Sequence, residues 1–122
     1  MANPTATSHT GKPVTLGDEC TILGTITSSS GNNLTVKTNS SGTSITVPFK
    51  GSANASHNVN GPSLSGAGKT FSGFTNGEQV VVKGRTSSVG TGGFTASINV
   101  LLADGTTTVT VKSGDVHTVQ NA

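Results

Sequence analysis

At 122 residues and a formal net charge of +2, the chain has the length of one domain and no massed cationic footprint for duplex nucleic acid. Thr, Ser, Gly and Asn number 21, 16, 17 and 10, while apolar residues make up 30% and charged residues 10%, so a large core is excluded. One cysteine rules out an intramolecular disulfide framework, and no apolar run approaches the ~18 residues that span a bilayer.

Low hydrophobicity with low charge and regularly spaced Val, Ile and Thr points to a folded all-β domain rather than a disordered chain. Residues 1–13 carry Pro4 and Pro13 and no periodicity, which predicts an extended, flexible N-terminal arm. Their composition lacks the basic and apolar segments of an export signal, and none is expected. From Cys20 the pattern alternates: Cys20, Ile22, Gly24 and Ile26 share one face, and Leu23 falls out of phase beside Gly24, which suggests a bulge. Cys20 itself reads as a small buried hydrophobe.

Ser28 to Asn33 reads as a turn. Leu34 and Val36, then Ile45, Val47 and Phe49, alternate with polar residues on either side of a second turn, Asn39 to Gly42. The result is a three-stranded meander with Pro48 near an edge. Residues 51–76 then show no period and form a long loop with isolated apolar points at Val59, Leu64, Phe71 and Phe74.

Strand pattern resumes over residues 77–85, and the glycines from Gly84 to Gly93 read as a linker. Phe94, Ala96, Ile98, Val100 and Leu102 alternate without a slip, which predicts a strand with Phe94 in the core beside Ile26, Val36, Val47, Ile98 and Val100. Asp104-Gly105 predicts a two-residue type I′ turn leading to a strand over 106–112, and residues 115–120 add a short final strand. The domain organisation expected is an arm at 1–13 and a β-barrel at 14–122 that contains the loop 51–76.

This order, with Cys20 to Ile26, Asn33 to Val36, Thr43 to Phe49, Gly77 to Arg85 and Phe94 to Ala96, resembles an OB-fold barrel such as the small subunit of replication protein A. The resemblance implies an all-β, OB-like barrel of five to six strands, with Gly24 as the mid-strand glycine of a coiled first strand. It also raises an alternative function, single-stranded nucleic-acid binding, for which alternation turns Lys37, Lys83 and Arg85 outward.

Chemistry-bearing motifs are few. Gly68-Lys69-Thr70 lacks the glycine five residues earlier that a P-loop needs, since Ser63 stands there. His9, His57 and His117 lie in separate segments without a carboxylate at ligand spacing, and Asp18-Glu19 reads as a solvated pair ahead of a strand. No catalytic, cofactor or metal residues are assigned, and a non-enzymatic protein is expected.

A small Thr/Ser/Gly/Asn-rich β domain of low charge resembles bacteriophage capsid decoration (cement) and virion accessory proteins. That resemblance implies a structural, multi-copy protein located in the virion (the alternative reading being cytoplasmic), with other virion subunits as partners. Pro4, Val59, Leu64, Phe71 and Phe74, on the arm and the long loop, are the candidate interface.

Overall fold

Strands occupy most of what the computed structural model describes, namely residues 5–30, 33–48, 54–58 and 74–120. They are β1 Glu19–Ser30, β2 Asn33–Thr38, β3 Ser44–Pro48, β4 Ala55–His57, β5 Gln79–Val89, β6 Ser97–Leu102, β7 Thr108–Lys112 and β8 Val116–Gln120. Every pairing between them is antiparallel, in the order β3-β2-β1-β5-β6-β7, with β4 added to β5 and β8 to β1. β3 and β7 come together, so the six strands form a nearly closed barrel. The fold is all-β, and its meander followed by a strand returning to β1 is compatible with an OB-like order.

Alternation along the strands fills the interior. Ile22, Ile26, Val36, Val47, Val80, Val82, Ile98, Val100 and Val111 are buried in one cluster. Burying each such side chain contributes roughly 1.5–3 kcal/mol, which compensates for the small apolar share of the chain.

The two long strands each serve two neighbours on one edge. β1 pairs with β8 over Glu19–Ile22 and with β2 from Gly24 onward. β5 pairs with β4 over Val80–Val82 and with β6 from Gly84 onward. The change of partner falls at a glycine in both strands, because a side chain there would collide with the neighbouring strand. A Cβ on Gly24 would stand 2.9 Å from the Lys37 carbonyl oxygen, and one on Gly84 would stand 2.6 Å from that of Leu101. A bulge follows in each, between Ile26 and Ser28 and between Thr86 and Ser88, and completes the bend.

These parallels extend to a twofold repeat, with an offset of sixty residues for β1 and β5 and of sixty-four for the hairpins β2–β3 and β6–β7, since Thr38 partners Gly24 as Leu102 partners Gly84. Ile22 pairs with Val82, so exchanging β1 and β5 maps their ladder onto itself. The turns that lead into the two strands are built alike. In Thr15-Leu16-Gly17-Asp18, the Thr15 N–H and Oγ1 donate to Asp18 Oδ2 at 2.9 and 2.8 Å. In Thr75-Asn76-Gly77-Glu78, the Thr75 N–H and Oγ1 donate to Glu78 Oε1 at 3.0 and 2.8 Å. Gly17 and Gly77 have φ of 87° and 89°, a left-handed conformation that other residues rarely adopt. Their N–H groups donate across to Thr86 O at 3.0 Å and Ile26 O at 2.8 Å.

Each half also lends its last strand to the other. Asp115, ahead of β8, accepts from Ser41 N–H at 2.9 Å, Ser41 Oγ at 2.7 Å and Lys112 N–H at 3.0 Å. Asn54, ahead of β4, accepts from Asp104 N–H at 2.8 Å and donates to Pro48 O at 2.9 Å and Asp104 Oδ2 at 3.0 Å. A buried polar side chain thus ties each crossing strand to the hairpin turn of the opposite repeat.

Several expectations are corrected. Phe94 is not in the core. Gly92 and Gly93, with φ of 133° and 66°, turn the chain into a short 3₁₀ segment at Gly93–Thr95, and Phe94 emerges 58% exposed before β6 begins. Gly84 belongs to β5 rather than to a linker, and β1 runs through Ser28 to Ser30 where a turn was expected. The β6–β7 turn is not type I′, since no residue other than glycine has positive φ among the described residues. The Leu102 N–H donates to Thr107 O at 2.8 Å around a four-residue loop, and Gly105 alone in it has positive φ, at 78°. Asp18 is not solvated; it is 2% exposed and caps the Thr15 turn. Phe49 lies outside the described residues.

Residues 5–14 do not extend away from the barrel. Thr7 N–H donates to Gly93 O at 3.0 Å, His9 N–H to Val116 O at 2.8 Å and Val14 N–H to Ala6 O at 2.9 Å, and Ala6 and Val14 join the core cluster. His9 stacks on His117 with ring centroids 4.9 Å apart.

Two groups make stability depend on pH with the same sign. Asp104 accepts from Thr106 N–H, Thr107 Oγ1 and Thr107 N–H at 2.9, 2.7 and 2.9 Å, which holds its carboxyl well below the usual carboxylate range. Its contribution is present above the unfolded value of about 3.9 and is lost as pH falls below it. Burial, and then the charge of His9, lowers the His117 pKa. The neutral ring is the folded form, so this contribution is present above about pH 6.5 and is lost as pH falls through the lowered value. Urea midpoints should therefore drop in two stages, below about pH 6.5 and below about pH 4. Asp104→Ala should flatten the acid stage and His117→Gln the upper one; a midpoint unchanged from pH 7 to 3.5 would contradict both assignments.

Candidate interaction surface

The outer face of the barrel is set by register. Paired residues share a side of the sheet, so Thr25, Lys37 and Gln79 stand together, as do Thr21 with Lys83 and Glu19 with Arg85. Lys83 and Arg85 are thus brought together. Lys37 is exposed but lies on the other repeat, across the face from them. Arg85 Nη2 donates to Glu19 Oε1 at 2.9 Å and Nη1 to Gly17 O at 3.1 Å, which fixes the guanidinium and offsets part of its charge. Lys83 makes no ion pair among the described residues.

A cleft of about 480 Å³ opens here, between β1, β5 and the β6–β7 turn. Glu19, Thr21, Lys83, Arg85, Leu101 and Ala103 line its walls, over the backbone of Cys20 and Gly84. The Cys20 thiol is buried, and burial, reinforced by the negative charge of Asp18, pushes its pKa up to about 12. It stays protonated at neutral pH and serves as packing, not as a nucleophile.

The twofold-related position on the other repeat is filled. There Thr25 Oγ1 donates to Asn39 Oδ1 at 3.1 Å, Asn39 Nδ2 to Gln79 Oε1 at 2.9 Å and Gln79 Nε2 to Thr25 Oγ1 at 2.7 Å. Arg85, Ala103 and Glu19 stand in the corresponding places around the cleft. An alanine in place of Asn39 leaves the space empty.

Of the candidate interface residues, Pro4, Val59, Leu64 and Phe71 lie outside the described residues. Phe74 is not an exposed anchor. It packs against the core cluster and stacks on His57 with ring centroids 5.6 Å apart, in the place that Val14 holds in the first repeat. His57 also contacts the Glu78 carboxylate, and His9 and His117 meet although they lie in separate segments of the sequence.

Among the described residues, the large apolar side chains that stand exposed are Leu16, at 70%, and Phe94, at 58%. Both sit on hydrogen-bonded turns flanking residues 5–14. Leu16 occupies the Thr15–Asp18 turn, where the sister turn carries Asn76, and that asymmetry was the available sequence signal. Phe94 was hidden by an alternation that the glycines before it interrupt. Comparison with protein-family models, with curated proteins and with solved structures finds no match.

Proposed function

We propose that the chain is a non-enzymatic structural protein that docks in many copies on a larger assembly, as bacteriophage capsid decoration proteins do. The observation that carries this reading is the display of Leu16 and Phe94 on hydrogen-bonded turns while the rest of the described core is buried, in part beneath the segment that holds Ala6 and Val14. Turns already held by hydrogen bonds lose little freedom on binding. Each side chain contributes roughly 1.5–3 kcal/mol when covered, and many symmetric copies turn a modest contact into firm attachment. The Thr- and Ser-rich exterior supports the same reading, since it offers hydrogen bonds with little charge repulsion between neighbouring copies.

Single-strand binding by an OB-like barrel draws support from the adjacent Lys83 and Arg85. Glu19, paired with Arg85, and the lack of an aromatic side chain among the described residues that line the cleft weigh against it.

A Leu16→Ser, Phe94→Ser double variant tests the docking reading. Both side chains lie largely outside the core, so the thermal transition should stay within a few degrees of the parent. Co-sedimentation with the particle from the native source should be lost. Attachment at the parent level would overturn the assignment of these residues.

A further inference from the structure

We infer that the cleft between β1, β5 and the β6–β7 turn is a binding site for a primary carboxamide, the group that an asparagine side chain of a partner polypeptide presents. This site is distinct from Leu16 and Phe94, and it stands whether or not the chain docks on an assembly.

The filled sister groove shows what the frame holds. Thr25 and Gln79 form one end rung of the β1–β5 ladder, and Glu19 and Arg85 form the other. On the first rung Gln79 Nε2 donates to Thr25 Oγ1 at 2.7 Å. The Asn39 carboxamide bridges the two, its oxygen accepting from Thr25 at 3.1 Å and its nitrogen donating to Gln79 at 2.9 Å. The second rung is joined in the same way, with Arg85 Nη2 donating to Glu19 Oε1 at 2.9 Å. Here Ala103 stands where Asn39 stands and has no group with which to bridge it. Asn54 takes the Asp104 N–H at 2.8 Å and anchors the β6–β7 turn beside the cleft.

Hydrogen-bonding capacity then selects the occupant. The Arg85 guanidinium is oriented by its bonds to Glu19 and Gly17 and keeps further N–H donors to spare. The other oxygen of Glu19, Oε2, makes no hydrogen bond among the described residues. A ligand that satisfies both must offer an acceptor and a donor side by side. A carboxylate has no donor and meets Glu19 as a like charge, while an ammonium or guanidinium group meets Arg85 and Lys83. A primary carboxamide is neutral and carries its oxygen and an N–H on one edge. A trans secondary amide, as in a peptide backbone, points C=O and N–H in opposite directions and cannot bridge the rung. At about 480 Å³ the cleft is larger than the group itself and opens outward, so the stem enters from solvent rather than from the turn. Leu101, half-buried on the wall, offers an apolar surface to the methylene of that stem.

The test is an NMR titration of the ¹⁵N-labelled full chain with three acetyl-tripeptide N-methylamides, glycine flanking a central asparagine, aspartate or alanine, and with acetamide. The asparagine peptide should shift the amides of Thr21, Gly84, Arg85 and Ala103 saturably, and the alanine peptide should not. The aspartate peptide should bind roughly tenfold more weakly than the asparagine peptide, about 1.4 kcal/mol. Ala103→Asn, which supplies the bridging group from within the chain, should abolish binding while the remaining spectrum stays native. Glu19→Gln, which installs the residue of the sister rung, removes the like charge and should narrow the preference for asparagine over aspartate. Acetamide binding as tightly as the asparagine peptide would still support a carboxamide site but assign it to free small amides. No saturable shift with any probe, an equal response to asparagine and alanine, aspartate preferred in the parent, an unchanged preference in Glu19→Gln, or full binding in Ala103→Asn would each overturn the inference.

Discussion

Gly84→Ala is expected to destabilise the barrel by about 3 kcal/mol, at the upper end of what overpacking costs. The added methyl would stand 2.6 Å from the Leu101 carbonyl oxygen and closer still to the Val100 side chain, so β6 must separate from β5 where it begins to pair. Neither neighbour yields easily: one is ladder backbone and the other is a fully buried valine. Gly24→Ala should behave alike through Lys37 and Val36, because the two glycines occupy equivalent bends. Urea denaturation reads both. A midpoint within error of the parent for either variant would show that the strands do not bend as described.

Ile98→Ala is expected to cost about 2–4 kcal/mol, the usual range for deleting a fully enclosed aliphatic side chain. Ile98 is buried near the start of β6, paired with Val111 on β7 and Val89 on β5. The contrast with Phe94 sharpens the test. Phe94→Ser, four residues earlier and larger in volume, should cost less than about 0.5 kcal/mol, because that ring faces solvent. Equal losses at the two positions would restore the continuous strand that alternation alone suggests.

That contrast shows where the sequence is legible. Alternation at Leu34 to Val36, Ile45 to Val47 and Ile98 to Leu102 reports one wet and one dry face directly, and those segments are strands with the expected side inward, whereas in the strand from Ile22 to Ile26 the out-of-phase Leu23 is buried as well. Phe94 continues the same alternation by coincidence of spacing, and the two glycines with positive φ before it decide its conformation. Asp104 was correctly placed in a turn, but its role is that of a side chain accepting from the N–H groups of Thr106 and Thr107. The twofold repeat was present in the letters as Thr-x-Gly-acid at 15–18 and 75–78. It is faint because the halves share turns and bending glycines while their core residues are only similar in kind.

The candidate site was less accessible. Adjacency of Lys83 and Arg85 follows from strand alternation, yet their pairing with Glu19 requires the register of β1 against β5. The cleft beside them depends on Ala103, supplied by a different hairpin, and on the comparison with Asn39 that only the folded repeat makes possible. Phe74 illustrates the converse. A phenylalanine in a loop looks like an exposed anchor until the barrel end that it covers is seen.

The central claim, attachment to a larger assembly, is tested most directly by velocity sedimentation of the native source followed by quantification of this chain in each fraction. The account predicts that the 12.0 kDa chain travels with a large particle at constant stoichiometry across the peak. Recovery of the chain solely at the top of the gradient, as a free small protein, would contradict it.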